Sequence, residues 1–216
     1  MITYEHIGNG GFRVGVQGEY SFSEPTCNQV YNDLIFFLNK SKASNIDQVI
    51  SKRYARASLV FLAFYFESLA NLLIDEVGER FNCSQQLEQI YKKRKHYPKP
   101  LRKFQAVYSV LYYGQKLPLD TSGIQDLFLI RNQVIAHPPA RSIVAGTGIT
   151  KGKGLTEKGR SLSLNKFTHF PNIYGEFTSV HTQEVYNETK DFLEKYHNLI
   201  ARKLSGAAIL FYLKKL

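Results

Sequence analysis

Arg131 and His137 are the residues whose types and spacing invite chemistry. They lie in the stretch 121–139, reading TSGIQDLFLIRNQVIAHPP. At about 100° per residue, Ile124, Leu127, Phe128, Val134 and Ile135 fall on one side of a helix, and Arg131 falls in the middle of that side. A guanidinium stays charged, so on an apolar stripe it requires a partner or a ligand. It also offers forked donors that match phosphate oxygens. His137 stands before Pro138, which biases it away from αR and toward the point where the helix stops. An imidazole there titrates near neutrality and can pass a proton either way. Six positions apart on a regular helix, the two side chains point about 120° away from each other. They can meet on one group only if the terminus unwinds or a second subunit contributes.

The element that must position Arg131 is a long helix expected over residues 46–81, capped at Ser44-Asn45 and free of proline. On it Val60, Ala63, Phe64, Ala70, Asn71, Ile74 and Gly78 share the angular sector of Glu67. Glu67 and Asn71 stack as neighbours four apart. A carboxylate on such a face needs a cation, and Arg131 is the arginine independently placed on an apolar face, so a Glu67–Arg131 ion pair is expected.

Arg131-Asn132, four further residues and then His137 resemble the Arg-Asn…His motif of the HEPN superfamily, helical bundles that include many metal-independent endoribonucleases. The amphipathic helix ending in the motif, and the longer helix before it with a polar pair on its apolar face, extend the likeness over roughly residues 46–139. The resemblance implies a mainly α, HEPN-like bundle of four to six helices. It implies a homodimer in which two motif helices meet, with His137 as general base or acid, Arg131 as phosphate clamp and Asn132 orienting its surroundings. Glu67 and Asn71 would support Arg131. The reaction would be metal-free attack of an RNA 2′-hydroxyl on phosphorus. Five residues separate Arg131 from His137 where four are more usual, within the family's range of four to six. Relatives also include toxins and defence components, non-catalytic RNA or nucleotide binders, and partners of nucleotidyltransferase-like proteins. An antitoxin or such a partner therefore joins RNA and a second copy among the expected associates.

Composition fits an RNA-facing protein. The 216-residue chain carries a formal net charge of +10, which favours an anionic partner, although lysine-rich faces also serve solubility. Its densest basic run is Lys92-Lys93-Arg94-Lys95, flanked by Tyr91 and Tyr97, so cations and stacking rings occur together. Two cysteines, Cys27 and Cys83, are too few for a disulfide framework, which suggests a reducing cytoplasm. The most apolar run, residues 57–74, is interrupted by Glu67 and Asn71, and no association with a membrane is expected. The remaining histidines, His6, His96, His169, His181 and His197, lack ligand spacing, and no Gly-x-Ser-x-Gly occurs. No metal or cofactor is expected.

The rest reads as one domain over residues 1–216. Residues 1–22 alternate around Asn9-Gly10 as a β-hairpin. Helices are expected over residues 23–42, 83–96, 101–114 and from about 178–183 to 204, the last ended by Gly206. The tail 207–216 suits docking on the bundle or on a partner. Residues 140–178 form a glycine-rich excursion carrying Lys151 and Lys153, with a strand pair over 162–167 and 174–178, placed in sequence to fold over bound RNA. Three functions compete: a ribonuclease, a non-catalytic binding module, and a helical scaffold in which Glu67 and Arg131 are only a buried pair.

Overall fold

Helix α2, Gln48–Arg80, is the spine of the structure. It begins at Asp47, whose carboxylate accepts from the backbone N–H groups of Val49 at 2.7 Å and Ile50 at 3.3 Å. Those are two of the donors a helix start leaves without partners. The cap is Asp47 and not the expected Ser44-Asn45, because its carboxylate directly precedes the first helical residue. The computed structural model describes residues 4–7, 11–14, 26–93, 96–135, 164–171 and 176–216.

Around the spine lie α1 (Thr26–Ser41), α3 (Ser84–Lys93), α4 (Lys99–Leu111), α5 (Ser122–Ile130), α6 (Ser179–Ile200) and α7 (Ala208–Leu213), and every one of them contacts α2. Enclosure from several directions explains why α2 is apolar over much of its circumference. It is the one helix among the described residues long and apolar enough to cross a bilayer, and half of that apolar window is buried against its neighbours. The described chain is mainly helical, with seven α-helices, one more than the upper expectation because the tail folds as α7. Two short strands, β1 (Tyr4–Ile7) and β2 (Gly11–Val14), pair antiparallel with Tyr4 opposite Val14. The Asn9-Gly10 turn expected between them lies outside the described residues.

The centre of the bundle is aromatic. Phe104 of α4 packs 4.6 Å from Phe66 of α2 and 4.7 Å from Tyr196 of α6, and Phe128 of α5 meets Phe66 at 5.9 Å. Burying these rings concentrates much of the driving force at one place. Tyr196 donates its hydroxyl to the Phe104 carbonyl at 2.9 Å, so the one polar atom of that side chain is satisfied. Burial pushes its pKa well above the usual 10.

Helix α6 stops at Ile200, not at 204. Lys203 and Leu204 both donate to the Ile200 carbonyl, and Gly206 takes a φ of +79° in the turn that leads into α7. The tail then docks on its own bundle. Ile209, Leu213 and Leu216 are buried, and the Glu76 carboxylate of α2 accepts from the N–H groups of Ala208 at 2.7 Å and Ile209 at 2.8 Å. Tyr65 adds a bond to the Tyr212 carbonyl at 2.7 Å.

Candidate functional site

Helix α5 carries Arg131 to α2. At its start the Asp120 carboxylate accepts from the N–H and the hydroxyl of Ser122, which hold its pKa below the usual carboxylate value. Ile124, Leu127 and Phe128 are buried along its inner side. The α-helix ends at Ile130, and Arg131–Ile135 form a π-turn, where a regular helix running to His137 was expected. The Arg131 N–H is shared between the carbonyls of Leu127 and Phe128 at this transition. Single π-turns of this kind occur often at functional sites.

Arg131 donates through Nη2 to Glu67 Oε1 at 3.0 Å, across the approach of the π-turn to α2. Its side chain retains 18% exposure, and that of Glu67 35%. The guanidinium carbon lies 5.2 Å from the Phe128 ring centre and 5.8 Å from that of Phe64, so the charge also rests between two π faces. Arg131 Nε is buried and has no hydrogen-bond partner among the described residues. The cation is thus held by one carboxylate and two rings while its side chain stays partly exposed.

Glu67 is less central than expected. The deepest face of α2 runs through Leu59, Leu62, Phe66, Leu69 and Leu73, and the Glu67 sector is the margin of that face: Phe64 is 40% exposed and Asn71 is exposed. A stripe that is apolar nearly all round gives no clean centre, which is why sequence angles misplaced it.

Asn71 does not join Arg131. Its Oδ1 instead accepts a hydrogen bond from Lys103 Nζ. Glu67, Asn71, Lys99, Pro100 and Lys103 line one open groove of about 230 Å³ between α2 and α4. Lys103 is half-buried, and desolvation first, then the nearby Lys99, lower its pKa from the usual 10.5; Asp75 and Glu67 pull the other way. The Tyr91 ring lies 5.6 Å from Lys103 Nζ, and Arg102 ties the end of α3 to α4 by donating to the Tyr91 carbonyl at 3.4 Å.

No family model matches the chain, and no curated protein or solved structure is found similar to it. The functional reading therefore rests on the atoms of the site.

Of the remaining sequence-predicted residues, Asn132 is exposed in the π-turn. Lys92 and Lys93 are exposed at the end of α3, with Lys92 paired to Glu88 at 2.6 Å. His137, Arg94, Lys95, Lys151 and Lys153 lie outside the described residues. So does most of the excursion 140–178, but its described part corrects the strand expectation. Asn165 and Lys166 form a bend, because the Asp126 carboxylate accepts from the N–H groups of Asn165, Lys166 and Phe167 and from Asn165 Nδ2. Backbone donors committed to a side chain are withdrawn from a sheet ladder.

Three residues escaped the sequence reading. Lys99 and Lys103 stand four apart on α4, a spacing that marks one helix face, while Leu101 and Phe104 of the same helix are buried. Asp126, fully buried, sits in the sector of Gly123 and Ile130, where a charge requires a partner just as it does at Arg131.

Proposed function

We propose that this protein is a metal-independent endoribonuclease of HEPN-like fold in which Arg131 clamps the scissile phosphate and His137 moves the proton. The observation that carries the reading is Arg131 itself: an arginine oriented by Glu67 and two rings, partly exposed, beside a groove with two lysines on α4. Preorganised cations of this kind stabilise charge that grows on phosphate oxygens.

The chemistry balances without a cofactor. The RNA 2′-oxygen forms a bond to phosphorus as its proton leaves to a neutral imidazole, and the bond from phosphorus to the 5′-oxygen breaks as that oxygen takes up a proton from an imidazolium, so the net proton count is unchanged. The products are a 2′,3′-cyclic phosphate and a 5′-hydroxyl. Asn132, exposed next to Arg131, is assigned in this reading to orient the backbone or the imidazole. A homodimer fits the margin of α2, where Phe37, Phe61 and Phe64 form a ring ladder leading to Arg131, with Phe36 and Phe64 half exposed. A toxin or defence role, with an antitoxin, belongs to the same reading; a nucleotidyltransferase-like partner belongs to the non-catalytic alternative.

The test is cleavage of a structured RNA in excess EDTA by wild type and His137→Ala, with melting temperatures compared. Cutting by wild type alone, leaving cyclic phosphate ends, supports the proposal; equal cutting by both overturns it. A second reading, non-catalytic RNA binding, is favoured by the groove, whose lining among the described residues is two lysines, an amide, a carboxylate and a proline, with no histidine. It predicts RNA retention at low salt without cleavage.

A further inference from the structure

We infer that Lys99 and Lys103 bind a second RNA phosphate, adjacent to the one at Arg131, so that a single strand runs along the α2–α4 groove toward Tyr91. This rests on the RNA reading above but concerns residues that reading does not use.

The groove is built for an anion. Lys99 and Lys103 stand one turn apart on α4, and both line it. Among the described residues neither ammonium sits in an ion pair. Two like charges held together, one of them half desolvated, repel each other, and an anion between them relieves both effects. Of the two carboxylates that act on Lys103, Asp75 is outside the described lining, and Glu67, which lines the groove, already accepts from Arg131. Asn71 opposes the lysines and orients Lys103 by accepting from it, while Pro100 adds an apolar wall.

Position adds direction. Glu67 touches Arg131 and lines the groove, so the two cationic sites share a wall. The Tyr91 ring lies 5.6 Å from Lys103 Nζ, and the rings of His96 and Tyr97 stand 4.1 Å apart just before Lys99. Phosphates tracked by cations with rings beside them are the recurring pattern for single strands. The groove is smaller than the roughly 300–1,000 Å³ of small-molecule pockets, which suits a backbone passing through over a buried ligand.

The experiment measures binding of a short, mixed-sequence 2′-O-methyl RNA, which cannot cleave itself, by fluorescence anisotropy from about 50 to 200 mM salt. Wild type, Lys99→Gln/Lys103→Gln, Lys99→Arg/Lys103→Arg and Arg131→Gln are compared, with Lys99→Gln alone as the milder variant should the double fail to fold. The glutamine double is expected to bind more weakly, with a plot of log affinity against log salt shallower by about 0.7 for each phosphate no longer neutralised, and the arginine double to keep the wild-type slope. If the glutamine double matches wild type while Arg131→Gln weakens binding, the groove proposal is overturned and the RNA reading stands. If no variant differs from wild type, both fall.

Discussion

Exchanging Asp126 for asparagine replaces a buried carboxylate that four N–H groups share. The side chain is fully buried, and its Oδ1 accepts from Asn165 N at 2.9 Å and Asn165 Nδ2 at 3.1 Å. Its Oδ2 accepts from Lys166 N at 2.7 Å and Phe167 N at 3.1 Å. An asparagine keeps one oxygen and turns its own NH₂ donors toward the other pair of N–H groups. Hydrogen bonds to a charged group contribute about 1.5–3 kcal/mol each, so removing two costs about 3–6 kcal/mol before water intervenes. Asn165 and Lys166 are exposed, so water offsets part of that cost. We predict a net destabilisation of about 2–4 kcal/mol. For a chain of this size that lowers Tm by roughly 4–16 °C. Urea unfolding of wild type, Asp126→Asn and Asp126→Ala measures it directly. A midpoint shift worth less than about 1 kcal/mol in both variants, with an unchanged slope, would refute the idea that residues 164–167 hang on this carboxylate.

Two further predictions concern the ends of the bundle. The Thr178 N–H donates to His181 Nδ1 at 3.1 Å, which requires that nitrogen unprotonated, and burial first, with His169 adding, lowers the pKa below 6.5 while Glu184 opposes. A native pKa below the unfolded one means that the unfolded chain takes up the extra proton. This contribution is therefore complete above about pH 6.5 and lost as pH falls through the native value. His181→Gln keeps the capping pattern without the titration, so its Tm should fall less than that of wild type between about pH 7 and 5; parallel curves would exclude the mechanism. Glu76→Ala removes the acceptor for the Ala208 and Ile209 N–H groups, and is expected to cost about 1 kcal/mol and to speed amide exchange in α7 while leaving α4 unchanged.

Helices α1 to α6 were legible because each rests on local signals, proline and caps at their starts and apolar residues at helical spacing, whereas α7 was read only as a docking tail. Leu34, Leu38, Phe104, Leu111, Phe192 and Leu193, apolar residues at helical spacing within those ranges, are buried in the core. The Glu67–Arg131 pair was legible for a different reason, since a charge on an apolar face narrows the choice of partner. What sequence could not yield depends on meetings between segments far apart in the chain. Asp126 holding residues 165–167, Glu76 capping α7 and Asn71 turning to Lys103 each join elements whose approach no local pattern encodes. The N-cap of α2 was misassigned among Ser44, Asn45 and Asp47, three neighbours of similar capping ability, where only geometry decides.

The π-turn at Arg131–Ile135 changes the angular arithmetic of the motif. A turn closed over five residues instead of four absorbs one residue without advancing the helix by the usual ~100°. The backbone at Ile135 is accordingly re-phased by about one position relative to α5. Ile135, packed against the core, therefore reaches it out of the register that α5 sets.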